Sequence, residues 1–192
     1  MKTFVLHGGV ALKDNVDNQQ FFQQFTSLVE KSHVKVLLCY WAHDRGEWGD
    51  IHKKDVQQIM KTTDKTVEFH IVEDAADLMK RIDDYDVLYV LGGYAELIEP
   101  YYKSLSGLSN KLEGKVYIGS SMGAFMASER YVRSFDDKDS LSVQSGLGLV
   151  PIQLLCHWDI EEYKLEKLQL LTTEGQCPTL TLDEYRFVVL YQ

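Results

Sequence analysis

Short apolar, β-branched runs alternate along this chain with segments whose apolar residues recur every three or four positions, and that alternation predicts its architecture. Thr3–Leu6, Val34–Tyr40, Val67–Val72, Val87–Leu91 and the run from Val116 read as strands; Val34–Tyr40 is apolar almost throughout, as in a strand covered on both faces. Between them, Val16, Phe21, Phe22, Phe25, Leu28 and Val29 keep helical spacing, with Asn15 or Asp17 able to cap the start. Ile51–Thr63, Asp74–Ile82 and roughly Ala95–Leu105 read as further helices. Five strand-to-helix alternations, without repeats or low-complexity tracts and with three prolines, predict a doubly wound, mostly parallel α/β sheet with helices on both faces. Beyond Ser128 the pattern weakens. Ser134–Ser145 is polar and charged, Glu161–Leu171 has a helical pattern, and Thr179–Leu182 and Phe187–Leu190 read as late strands, candidates for antiparallel pairing.

Composition narrows the possibilities. The 192 residues, 45% of them hydrophobic, suit one domain spanning 1–192. Twenty basic against 29 acidic residues, a formal charge of -9, argue against nucleic acid or an anionic membrane as partner. The longest apolar run, Val36–Ala42, is far below the roughly 20 residues that span a bilayer. The stretch MKTFVLHGG reads as a first strand rather than a signal peptide, so a cytoplasmic location is expected. Cys39, Cys156 and Cys177 form no CxxC pair and signal neither a disulfide framework nor a zinc site.

The candidate chemistry lies in Lys115–Ala127, KVYIGSSMGAFMA, which reads as strand, sharp turn and helix. The frame Gly119-Ser120-Ser121-Met122-Gly123 fits GxSxG, in which the turn lifts the central serine, Ser121, clear of the sheet. The Met122 N–H would then lie at a helix N-terminus, where unpaired donors favour developing negative charge. A tight structural connection or a phosphate cradle would use the same residues. A serine needs a base to take its proton, and of the six histidines only His157 lies downstream of Ser121. His7 and His43 end strands and could border a pocket. The third member of such a set is a carboxylate, and Asp136, Asp137, Asp139, Asp159, Glu161, Glu162, Asp183 and Glu184 are all eligible by chemistry. Trp41–Gly49 follows the carboxyl end of a strand, where α/β sheets place ligand loops.

These ordered motifs resemble the dipeptidase E (α-aspartyl dipeptidase) family of serine peptidases, whose fold is similar to class I glutamine amidotransferases with a flavodoxin-like core. Tyr89-Val90-Leu91-Gly92-Gly93 is similar to the family's glycine-rich oxyanion turn, and Gly119–Ala124 to its GxSAGA elbow. Gly146–Pro151 followed by His157-Trp158-Asp159 resembles the segment carrying its base, and Leu182-Asp183-Glu184 the segment carrying its glutamate. The resemblance implies Ser121 as nucleophile, His157 as base and Glu184 as its orienting acid, with Asp159 the competing acid. It further implies Gly93 and Met122 N–H groups at the oxyanion, no metal or organic cofactor, a small peptide substrate, and a monomer or homodimer. For an aspartyl substrate Arg45, Arg130, Arg133 and Arg186 are the candidate cations. Met122 in place of the family's alanine, and Tyr94, would crowd the pocket. An amidotransferase would need cysteine at the elbow. An esterase of the α/β-hydrolase type would need Asp136, Asp137 or Asp139 ahead of His157. The remaining alternatives are a cyanophycinase-like peptidase and a binding or regulatory protein on the same fold that has lost turnover.

Overall fold

The computed structural model describes residues 1–192, with Glu174 described by its backbone alone. In chain order the elements are β1 (Thr3–His7), α1 (Val16–Ser27), β2 (His33–Cys39), α2 (Trp48–Met60), β3 (Thr66–Ile71), α3 (Ala75–Arg81), β4 (Val87–Val90), α4 (Ala95–Ile98) and α5 (Leu108–Lys111). They continue with β5 (Val116–Ser120), α6 (Met122–Ala127), β6 (Arg130–Val132), β7 (Val143–Ser145), β8 (Gln153–Leu155), α7 (Lys164–Glu174), β9 (Thr179–Thr181) and β10 (Phe187–Tyr191).

The main sheet has the order β10-β1-β5-β4-β2-β3. All its neighbours run parallel except β10, which pairs antiparallel with β1. β1, β4 and β5 are buried at every position, which is why their sequences are apolar runs rather than alternations. Helix α1 lies against α2 and places Phe21, Phe22 and Phe25 in the core. Asn15 is its cap: Oδ1 accepts the Asn18 N–H at 2.8 Å, while Asp17 sits in the first turn.

A second, four-stranded sheet of order β7-β6-β8-β9 occupies the region where the sequence pattern weakens. Strand β9 pairs parallel with β8, so only β10 of the two late strands is antiparallel. The single helix expected over Ala95–Leu105 is instead one α-turn, α4, followed by a 3-10 segment over Glu99–Ser104. Pro100 stands at the start of that segment and has no N–H to continue the α-helical ladder. Among the described residues no helix is long and apolar enough to cross a membrane.

Candidate active site

Three chain reversals at the carboxyl ends of β5, β8 and β9 converge on one point. At the first, β5 passes into α6 through Ser121, whose backbone holds φ +49° and ψ -113°. The reversal is tight enough that a Cβ at Gly119 would lie 2.4 Å from Gly123 O, and one at Gly123 1.9 Å from Val90 O. Both flanking glycines of the motif are therefore required by packing, and they leave the Ser121 hydroxyl raised above the sheet.

The Ser121 Oγ lies 3.0 Å from His157 Nε2. His157 Nδ1 in turn lies 2.8 Å from Glu184 Oε1. A carboxylate oxygen only accepts, so the proton sits on Nδ1 and Nε2 faces the serine as a bare acceptor. The His157 and Glu184 side chains are almost wholly buried, which protects this line of hydrogen bonds from competing water. Asp159, the competing acid, does not meet the imidazole in this way: its Oδ1 accepts the Glu184 backbone N–H at 2.8 Å.

His157 is also held by the turn after β1. Its N–H donates to Gly8 O at 3.0 Å, and a Cβ at Gly9 would lie 2.1 Å from the ring carbon Cε1. The Gly8-Gly9 pair thus brings its backbone against the histidine itself. Among the described residues, five other than glycine have positive φ: Val10, Ser121, Phe135, His157 and Tyr185. Four of them line one cavity, and Tyr185 follows Glu184, so the disfavoured backbone is concentrated where Ser121, His157 and Glu184 meet.

That cavity, of about 540 Å³, is bounded by Val10–Leu12, the Gly92-Gly93-Tyr94 turn, Ser121 and Met122, and the loop Arg133–Asp136. Its size is in the range of small-molecule sites. Tyr94 is 59% exposed and stands at the wall with its side chain largely in solvent, while Met122 is buried. Gly93 and Met122 both line the cavity beside Ser121; Met122 is the first residue of α6, and a Cβ at Gly92 would lie 2.7 Å from Ser121 Cβ.

Of the four candidate arginines, only Arg133 lines the cavity. Glu99 grips one edge of its guanidinium, taking Nε at 3.0 Å on Oε1 and Nη2 on Oε2, and also accepts the Tyr131 hydroxyl at 2.6 Å. Arg45 pairs with Glu73, and Arg186 with Asp17 at 3.2 Å. Asp136 brings a carboxyl to the same wall, held above the usual range by burial, with Arg133 and Lys167 opposing the shift.

The loop that carries Arg133 and Asp136 rests on a buried ion pair that sequence reasoning missed. Lys167 Nζ lies 2.7 Å from Glu161 Oε1 and donates to Arg133 O at 2.8 Å, while Glu161 Oε2 accepts the Phe135 N–H at 3.3 Å. Phe135 is thereby set against the His157 ring, centroids 4.9 Å apart. A lysine buried on a helix face interrupts the apolar pattern, and that interruption at Lys167 was the available signal.

His7, one of the histidines expected to border the pocket, lies beneath it. Its Nε2 meets Asn18 Oδ1 at 3.0 Å, its Nδ1 accepts the Gly9 N–H at 3.2 Å, and burial pushes its pKa down to about 4, the Asn18 hydrogen bond opposing. His43 does line the cavity. Among the described residues, no group of three or more His, Cys, Asp or Glu side chains could hold a metal ion.

The profile of Peptidase family S51 matches residues 4–191. Among solved structures, a peptidase from an acI-B1 Actinobacterium superposes with a TM-score of 0.66 at 14% identity, covering 99% of this chain and 83% of its own. A Listeria monocytogenes EGD-e protein assigned to peptidase E superposes with a TM-score of 0.63 at 19% identity, covering 100% of this chain and 99% of its own. At such identities these two likenesses speak for the fold. Among curated protein sequences none matches.

Proposed function

The chain belongs to peptidase family S51, and from that premise we propose that residues 1–192 form one serine-peptidase domain that hydrolyses short peptides, above all dipeptides with N-terminal aspartate. The observation that carries this reading is the line Ser121 Oγ to His157 Nε2 to Glu184 Oε1, at 3.0 and 2.8 Å, opening into a cavity sized for a small peptide.

In this reading Ser121 Oγ attacks the peptide carbonyl carbon as His157 Nε2 takes its proton. Glu184 stabilises the resulting imidazolium through Nδ1–H, and the N–H groups of Gly93 and Met122 receive the tetrahedral oxyanion. The C–N bond then breaks as Nε2–H protonates the departing amine, leaving an acyl ester on Ser121. Water, deprotonated by His157, attacks that ester, and the proton returns to Ser121 Oγ as the acid leaves.

Substrate selection follows from the walls. The second edge of the Arg133 guanidinium can receive the aspartyl side-chain carboxylate, and Asp136 can pair with the substrate's α-ammonium. An inactive binding protein, the alternative kept from the sequence, is not favoured by an open cavity with an aligned serine and histidine.

The test is hydrolysis of an Asp-X, Glu-X and neutral dipeptide panel by wild-type protein and Ser121→Ala. Asp-X cleavage that disappears in the variant is expected. A folded protein that cleaves no member of the panel and is not labelled by a fluorophosphonate would overturn the reading.

A further inference from the structure

We infer that His43 is a positioning residue of the oxyanion site: it sets the direction of the Gly93 N–H. The inference rests on the serine-peptidase reading above and adds to it a residue that neither the motif pattern nor the triad includes.

The Gly92-Gly93 turn is gripped from one side by the end of β2 and the residues after it. Leu91 N–H donates to Cys39 O at 3.1 Å, and Tyr94 N–H donates to Ala42 O at 2.8 Å. Between these two backbone bonds, His43 Nε2 lies 2.8 Å from Gly92 O. A carbonyl oxygen only accepts, so Nε2 carries a proton and donates. The carbonyl and the N–H of one trans peptide point to opposite sides. Drawing Gly92 O towards His43 therefore turns the Gly93 N–H away from His43, and among the described residues that N–H has no hydrogen-bond partner.

The fit leaves no slack. Gly93 holds φ +154°, and a Cβ there would lie 2.3 Å from Ala42 O and 3.0 Å from His43 Nε2. A peptide flanked by two glycines can flip easily, because neither residue restricts its own φ. A donor that is right only in one orientation is worth little unless something holds that orientation before the charge develops. His43 is itself fixed: its backbone O accepts Trp48 Nε1–H at 3.1 Å, and its Nδ1 lies 3.5 Å from Glu47 Oε2.

The experiment compares wild type, His43→Gln, His43→Leu and Ser121→Ala on the dipeptide cleaved best in the panel. It reads kcat, KM, the pH profile and inhibition by a peptide boronic acid, which forms a tetrahedral adduct on the serine. A Gln amide nitrogen reaches about as far as His Nε2 and can still donate to Gly92 O; Leu cannot. For His43→Leu, kcat is expected to fall on the order of 10- to 100-fold with KM within about twofold, and boronate affinity to weaken by the same factor as kcat. His43→Gln is expected to recover most of both with an unchanged acid limb. Should His43→Leu fail to fold, His43→Asn, whose amide stops short of Gly92 O, takes its place. Wild-type kcat in His43→Leu, or a loss confined to KM, would overturn the inference. Undiminished activity in Ser121→Ala would instead overturn the serine mechanism beneath it.

Discussion

Asp159 holds Glu184 by its backbone: Asp159 Oδ1 accepts the Glu184 N–H at 2.8 Å, two residues beyond the histidine that Glu184 itself contacts. The two acids that sequence could not separate thus do different things, one meeting the imidazole and the other fixing the loop that presents it. Replacing Glu184 by Gln should lower kcat/KM by on the order of 10²- to 10⁴-fold, because the imidazolium loses its counter-charge and the tautomer its anchor. Asp159→Ala should cost about tenfold, since the carboxylate remains and only its placement loosens. Steady-state kinetics on the two variants checks the order; a larger loss in Asp159→Ala would reverse the assignment.

At Gly9 a single added methyl should strike the imidazole directly. An added methyl would fall 2.1 Å from His157 Cε1 and 2.4 Å from Nε2, and φ +135° already disfavours any side chain. Gly9→Ala should abolish fluorophosphonate labelling of Ser121 by pushing the imidazole off the serine. Circular dichroism should still report a folded chain. Labelling at the wild-type rate would contradict the packing.

Two buried groups give stability opposite dependences on pH. Burial pushes His7 down to about 4 from 6.5, so the unfolded chain binds a proton that the fold refuses, and stability falls as pH drops from about 6.5 to about 4. Burial pushes the Asp55 carboxyl up to about 7 from 3.8, with the nearby Tyr40 hydroxyl opposing but outside hydrogen-bond geometry. There the fold keeps a proton that the unfolded chain releases, so stability falls as pH rises from about 4 to about 7. Each arm amounts to about 3 to 4 kcal/mol, and they offset each other over the shared window. Urea unfolding between pH 4 and 7 should show His7→Gln losing stability with rising pH and Asp55→Asn gaining it. Parallel curves for the two variants would refute the assignment.

Arg133 should govern the aspartyl preference and Glu99 should govern Arg133. Arg133→Leu is expected to lower kcat/KM for Asp-X about 100-fold while changing a neutral dipeptide less than about threefold. Glu99→Gln leaves the cation in place but loosens its fork, so a smaller loss, carried mainly by KM, is expected. Equal losses on charged and neutral dipeptides would assign Arg133 a purely structural role.

The core of the fold was legible because buried strands are largely apolar: β1, β4 and β5 are covered at every position, and β2 is apolar and buried from Val36 to Cys39. Ser121 was legible because its turn demands glycine at fixed offsets, which Gly119 and Gly123 meet through their contacts with Gly123 O and Val90 O. Of the second sheet only β9 registered, as the run Thr179–Leu182, since β6, β7 and β8 are three residues each, too short for a period to register in their polar surroundings. Nor could spacing choose among eight carboxylates, because the meeting of His157 with Glu184 depends on how β8 and β9 lie side by side. Lys167 escaped for a related reason: its partners, Glu161 and Arg133 O, come from segments that only the folded chain brings together.

The place of β1 in the main sheet bears on how the chain can be made. Phe4 sits opposite Tyr117 on one side and Leu190 on the other, so a strand made early has both neighbours made late. On the ribosome, β1 emerges apolar and unpaired, a surface that chaperones shield in nascent proteins. Glu184 leaves the tunnel just ahead of β10, the strand that covers β1. The carboxylate and the closing strand therefore arrive together, and under the proposed mechanism a chain long enough to carry Ser121 and His157 but not yet Glu184 lacks the acid that orients its base.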